Sequence, residues 1–131
     1  MAHSIQIFEQ RSKSFNDLDL LIVITFVIAA IATESEQTVL LKIRDRWSVA
    51  VKSYGPGVLD LEFDFLIRSQ SERSSMVGII DRVRSELEAW ETKIPATVLN
   101  ERVQISGVRF HDYPVESVIK TTHDLKKLLL G

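Results

Sequence analysis

Residues 20–32 read LLIVITFVIAAIA, a run in which Thr25 is the single polar side chain. A helix that is apolar on every side has to be buried on every side. The string Ile22–Ile28 is rich in β-branched residues and favours a central strand, whereas the length of the run and its lack of glycine or proline favour a helix. We therefore predict that Leu20–Ala32 is a helix at the centre of the core.

The flanks of this run show whether it could be a targeting segment. Arg11 and Lys13 precede it, and Ala30–Ala32 has the small-x-small pattern of a signal-peptide cleavage site. Asp17 and Asp19, however, lie at its entrance, where a signal sequence is neutral or basic. The run is also shorter than the roughly 18 apolar residues that a membrane span requires. We expect a core segment of a cytoplasmic protein without a membrane partner.

The composition is that of an ordinary globular protein. The 131 residues suit one domain, 1–131, and 45% hydrophobic with 26% charged residues argue against disorder. The net charge of −2 is too small to attract nucleic acid or an anionic membrane over the whole molecule. The absence of cysteine excludes disulfide frameworks, thiol nucleophiles and cysteine-based metal sites. We predict no nucleic-acid partner and no cofactor.

Three segments that follow the apolar run have the composition of strands. They are Thr38–Ile43, Trp47–Tyr54 and Val58–Arg68, and Gly55-Pro56-Gly57 provides strong turn chemistry between the last two. The third segment alternates strictly between apolar and acidic residues, which is typical of an antiparallel sheet with one face in water. The apolar side chains are Leu59, Leu61, Phe63, Phe65 and Ile67. The acidic side chains are Asp60, Glu62 and Asp64.

The remaining elements complete an α+β fold. An apolar stripe predicts a helix over Ser71–Lys93, and alternation predicts a strand over Arg102–Phe110. Thr121–Asp124 has the pattern of a capping box ahead of a helix over Leu125–Leu130, and His3–Glu9 favours an edge strand or an extended arm. We predict an antiparallel sheet of four to five strands flanked by three helices, in the order α-β-β-β-α-β(-β)-α.

No motif indicates catalysis. His111 beside Asp112 could orient an imidazole toward Ser106 or Ser117, but no nucleophile motif accompanies them. The three histidines lack metal-ligand spacing, and no glycine-rich loop could cradle a phosphate. We predict no catalytic residue and no metal site, and we do not expect an enzyme.

The acidic strand face is the best candidate for a function. Three carboxylates spaced roughly 6.5–7 Å apart along one strand face suit a basic partner, although a solvated sheet face balanced by lysines is the simpler structural alternative. We predict a small cytoplasmic protein-binding module of the inhibitor or immunity type, which neutralises a toxin or effector protein through this face. The expected partner-binding residues are Asp60, Glu62, Asp64, His111, Asp112 and Tyr113.

Two alternatives remain open. The predicted element order is similar to that of small acidic secretion chaperones, and the leucine-rich C-terminus would give a homodimer through Leu125, Leu128 and Leu129. The same leucines could instead dock onto the core of their own chain. The second alternative is a divalent-metal-dependent enzyme that uses the acidic face as its metal site.

Overall fold

A computed structural model describes residues 2–34, 37–105 and 107–131, and the chain begins with a β-hairpin. Strand β1 (His3–Phe8) pairs antiparallel with β2 (Arg11–Asn16). The two-residue turn between them consists of Glu9 and Gln10, both in the left-handed region (φ 50° and 69°), as the right-handed twist of a hairpin requires. The expected edge strand at the N-terminus is therefore confirmed.

Helix α1 (Asp17–Glu34) follows directly and confirms the prediction for the apolar run. Its N-terminus is capped by Asn16, whose Oδ1 accepts the main-chain N–H of Leu18 (2.9 Å) and of Asp19 (3.1 Å). The core residues of α1 are Leu20, Leu21, Ile22, Val23, Ile24, Phe26, Val27, Ala30 and Ile31. Within the described residues, no helix is long and apolar enough to cross a membrane.

The next two predicted strands are wrong, because one helix, α2 (Thr38–Lys52), occupies most of both. Leu40, Ile43 and Trp47 are its buried residues, and their spacing of three and four is that of one helical face. A strand over Trp47–Tyr54 would place Val49 on the same face as Trp47. In the helix Val49 lies 65% exposed.

The third predicted strand, Val58–Arg68, is also wrong. Residues 58–62 belong to no helix or sheet, Glu62 is left-handed (φ 54°), and a single turn of helix, α3 (Phe63–Leu66), follows. The predicted alternation of burial nevertheless holds for Leu59 and Leu61, which are buried. The turn of helix breaks this alternation, and Phe65 becomes 50% exposed.

Helix α4 (Gln70–Glu88) confirms the predicted second helix, although it ends earlier than expected. Its N-cap is Ser69, whose side chain accepts the N–H of Glu72. The short strand β3 (Lys93–Ile94) then pairs with β4 (Tyr113–Pro114).

Helix α5 (Ala96–Arg102) ends at the first residue of the predicted strand Arg102–Phe110, and that prediction is wrong because none of the segment's described residues is in a strand. The Asn100 side chain bonds both the N–H and the C=O of Phe110, so a side chain satisfies main-chain groups that a sheet would otherwise pair.

Helix α6 (Val115–Leu130) begins well before the predicted capping box, which is therefore wrong. Thr121 and Thr122 lie inside the helix, where their hydroxyls donate to the C=O of Ser117 and Ile119.

The described residues thus form an α+β fold of six helices and two small two-stranded antiparallel sheets. The predicted sheet of four to five strands does not exist among them, because α2 and α3 replace its central strands. Helix α1 lies at the centre and packs against α2, α4 and α6. The N-terminal hairpin lies across one end of this helical core and contacts α1, α3 and α6.

Candidate protein-binding groove

Over Ser4–Ile7 the two faces of β1 are exchanged relative to an ordinary surface strand, whereas Phe8 at its end is buried in the core. Its polar residues Ser4 and Gln6 are each 1% exposed, whereas its apolar residues Ile5 and Ile7 are 64% and 54% exposed. A strand on a protein surface normally turns its apolar residues toward the core. The burial of the polar residues and the exposure of the apolar residues each therefore need a structural explanation.

On the inner face, Ser4 and Gln6 bond the main chain of segment 58–62, which belongs to no sheet. Gln6 Nε2 donates to the C=O of Leu59 (2.6 Å), and Gln6 Oε1 accepts the N–H of Leu61 (2.9 Å). Ser4 Oγ accepts the N–H of Leu59 (3.1 Å). The Trp47 indole N–H donates to the C=O of Leu61 (2.9 Å). Side chains thereby satisfy buried main-chain groups that would be costly to leave unpaired.

The buried carboxylate of Asp17 joins the same network from the first turn of α1. It accepts hydrogen bonds from Ser4 Oγ (2.5 Å), from Tyr54 Oη (2.8 Å) and from the N–H of Gly57 (2.8 Å). Its position at a helix N-terminus also favours negative charge. Burial first, and then the bond to Asp17, raise the pKa of Tyr54 to about 12.

The outer face of β1 forms one wall of a groove of about 610 Å³, which we call the β1 groove. Its opposite wall is the chain from Gly57 to Phe65. The groove is lined by His3, Ile5, Ile7, Gly57, Val58, Leu59, Asp60, Glu62, Phe63, Asp64 and Phe65. Val58 is 72% exposed, so both walls present apolar side chains to solvent.

The three predicted acidic residues line this groove together, although not on a sheet face. Asp60 Oδ1 accepts the N–H of Glu62 (2.9 Å), and Asp64 Oδ1 accepts the N–H of Glu9 (2.9 Å). Glu62 makes a two-pronged ion pair with Arg46, and the hydrogen bond from Arg46 lowers the pKa of Glu62. The carboxylates of Asp60 and Asp64 have no cationic partner among the described residues.

The end of the groove is marked by Phe65, whose ring lies beneath two cations. Lys42 Nζ is 5.3 Å and the Arg46 guanidinium 5.2 Å from the ring centroid, within the range of cation–π attraction. These contacts hold a half-exposed aromatic ring in place beside the carboxylates.

No family model, curated protein or solved structure matches this chain. Any functional statement therefore rests on the groove itself.

The other predicted partner-binding residues, His111, Asp112 and Tyr113, do not line the β1 groove. Asp112 accepts the N–H of Ala96 (2.8 Å), and the hydroxyl of Tyr113 donates to Asp19. Burial first, and then the bond to Asp19, raise the pKa of Tyr113. Asp17 and Asp19 are two residues apart on α1 and hence project in nearly opposite directions. His111 itself is exposed.

Neither serine that was considered as a partner of His111 is seen to contact it. Ser117 Oγ donates to Asp19 (2.6 Å) rather than to a histidine, and Ser106 lies outside the described residues. In the part of the chain that the structure describes, no three histidine or carboxylate side chains form a group that could hold a metal ion.

The three leucines proposed for a homodimer lie in the core of their own chain. Leu125, Leu128 and Leu129 are 1%, 6% and 0% exposed, while Leu130 is 52% exposed. The Arg11 guanidinium donates to the C=O of Leu128 and holds the end of α6 against the hairpin.

The sequence analysis missed Ile5 and Ile7. A signal was present, because the alternation Ser4–Ile7 predicts a strand with one polar and one apolar face. The periodicity does not state which face is buried. If the apolar face of the strand is assumed to be the buried one, both isoleucines are wrongly placed in the core.

Proposed function

We propose that this protein binds another protein and that the β1 groove is its binding surface. The observation that carries the proposal is the inversion of β1, which leaves Ile5 and Ile7 more than half exposed while polar neighbours are buried. Together with Val58 and Phe65 they form an apolar patch bordered by carboxylates. Apolar patches with a polar rim are typical of protein interaction sites.

The charge of the groove indicates a basic partner. Asp60 and Asp64 form no ion pair with a cation of the described residues, whereas Glu62 is paired with Arg46. Complementary charge accelerates association and fixes orientation. An inhibitor- or immunity-type protein that covers a basic cleft of a toxin or effector fits this surface.

The two alternative functions have no specific observation in their favour. The element order that suggested a secretion chaperone is wrong, and its leucines are buried in their own chain. For a metal enzyme, the described residues contain no group of three carboxylates or histidines that could hold the ion, and Glu62 is already paired with Arg46.

The proposal is tested by photo-cross-linking in cells of the source organism. A benzoylphenylalanine at Ile7 is compared with one at Leu130, which is similarly exposed but does not line the groove. We expect a discrete protein adduct from position 7 that is absent from position 130. Asp60→Lys in the position-7 variant should weaken this adduct and reduce its dependence on salt.

The same adducts from both positions, or none from position 7, would contradict the proposal. Thermal unfolding of each variant shows whether the fold is retained, so that loss of an adduct can be assigned to the groove.

A further inference from the structure

The hydrogen-bonding pattern of the hairpin determines which N–H and C=O groups of β1 face β2 and which face away from it. The pair that flanks a two-residue hairpin turn is hydrogen-bonded, and paired positions alternate along an antiparallel ladder. Phe8 and Arg11 form that pair here. The hydrogen bond from Asp17 N–H to the C=O of Ala2 (3.1 Å) continues this register, so Ala2 and Phe8, both even-numbered, bond toward the same side.

The even-numbered residues of β1 therefore bond β2, and the N–H and C=O groups of Ile5 and Ile7 point away from it. Segment 58–62 lies beside β1 but bonds the side chains of Ser4 and Gln6 instead of this edge. Among the described residues, no hydrogen bond from outside the hairpin reaches the main chain of Ile5 or Ile7. The strand edge thus opens onto the β1 groove.

An open strand edge is usually protected in a soluble protein. Lysine, proline, a bulge or a covering segment blocks unwanted pairing. The exposed side chains beside this edge are instead isoleucines, which favour strand pairing and apolar contact. An edge of this kind can accept an added strand from another chain.

We propose that an extended segment of a different protein adds to β1 as a third strand, with apolar residues alternating with lysine or arginine. This inference rests on the proposed function and specifies how the partner binds. Its main chain would pair with Ile5 and Ile7, and its basic side chains would neutralise Asp60 and Asp64. A second copy of this chain fits less well, since it would bring the same uncompensated carboxylates to the interface.

The experiment uses the full chain and a fluorescently labelled, capped octapeptide of alternating valine and lysine. A strand has two edges, which carry the N–H groups of alternate residues. We therefore compare the parent peptide with two derivatives, N-methylated at either all valines or all lysines. Fluorescence anisotropy measures the dissociation constant of each, with alternating valine and glutamate as the charge control.

We expect one N-methylated series to bind at least tenfold more weakly than the parent and the other within twofold. Strand addition uses one edge of the peptide, so only one set of N–H groups is needed. The valine–glutamate peptide should bind at least tenfold more weakly than valine–lysine. N-methylation series that bind equally well would overturn strand addition, as would an absence of peptide binding.

Two protein variants test the edge from the other side. Ile7→Pro removes a main-chain N–H that faces the groove, and Ser12→Pro removes the corresponding outward N–H of the opposite residue in the register. We expect at least a tenfold loss of peptide affinity for Ile7→Pro and less than a twofold change for Ser12→Pro. If Ile7→Pro does not fold, the two N-methylated peptides give the same information with the unaltered protein.

The outcomes separate the two proposals. A position-7 cross-link without edge-selective peptide binding overturns strand addition and leaves the protein-binding groove in place. A failed cross-link overturns the proposed function itself. Sedimentation of the chain alone that shows a dimer, and a monomer for Ile7→Lys, would overturn the basic partner in favour of a second copy.

Discussion

Over Ser4–Ile7, the inner face of β1 is polar and buried, whereas the outer face is apolar and exposed to solvent. On the inner face, Ser4 and Gln6 are buried, and their side chains form hydrogen bonds with Asp17 and with the main chain of segment 58–62. On the outer face, Ile5 and Ile7 are more than half exposed to solvent. Over Ser4–Ile7, burial therefore follows hydrogen bonding rather than hydrophobicity, and apolar surface is left free for a partner.

The largest effect is expected at the centre of the inner-face network. Asp17→Ala leaves the Ser4 hydroxyl, the Tyr54 hydroxyl and the N–H of Gly57 without their acceptor. The free energy of unfolding should fall by about 3 kcal/mol, since each buried unsatisfied donor costs on the order of 1–3 kcal/mol. Urea denaturation measures the loss. Asp60→Ala, at an exposed carboxylate, is the matched control and should cost about 1 kcal/mol or less.

The next prediction compares neighbouring residues on the two faces. Gln6→Ala removes both partners of buried main-chain groups at Leu59 and Leu61 and should destabilise the fold by about 2 kcal/mol. Ile7→Thr keeps strand propensity on the exposed face and should change stability by about 0.5 kcal/mol or less. Chemical denaturation of both variants checks this. A larger loss for Ile7→Thr than for Gln6→Ala would contradict the assignment of the faces.

A smaller effect is expected at alkaline pH. The pKa of Tyr54 is raised to about 12 from an ordinary value of 10.0, so the fold favours the neutral phenol. The resulting stabilisation is complete below pH 10 and is lost as the pH rises toward 12. Denaturation at pH 8 and pH 11.5 should show a smaller loss for Tyr54→Phe than for the unaltered chain. Equal losses would show that this hydroxyl does not contribute.

The smallest effect concerns the rim of the groove. The pKa of Glu62 is lowered by its hydrogen bond from Arg46, so the carboxylate stabilises the fold above its ordinary pKa of 4.5. That contribution disappears as the pH falls through the lowered value. Glu62→Gln should therefore lose slightly less stability between pH 6 and pH 3 than the unaltered chain does. High salt should diminish the difference, because the pair is exposed.

The sequence predicted the helices that carry a long apolar run or stripe, although the β-branched residues of the first run had also suggested a strand. Leu20–Ala32 is apolar on all sides and became the central helix α1, and the stripe within Ser71–Lys93 became α4. Helix α2 was missed because β-branched residues suggested strands, although Leu40, Ile43 and Trp47 already had helical spacing. Packing of that stripe against α1 outweighed local strand propensity.

The candidate site could be predicted only in part. Alternation identified Asp60, Glu62 and Asp64 as solvent-facing, and all three line the β1 groove. It could not show that Ser4 and Gln6 would satisfy the main chain of Leu59 and Leu61 in place of a sheet. These hydrogen bonds join residues more than fifty positions apart and leave no local pattern.

Amide hydrogen exchange, followed by NMR, tests the open edge of β1 most directly. In the free protein the amides of Gln6 and Phe8 should be protected by bonds to β2, whereas those of Ile5 and Ile7 should exchange at least about 100-fold faster. Adding the valine–lysine peptide should protect Ile5 and Ile7. Equal protection of all four amides in the free protein would show that the edge is already covered, and would contradict the account.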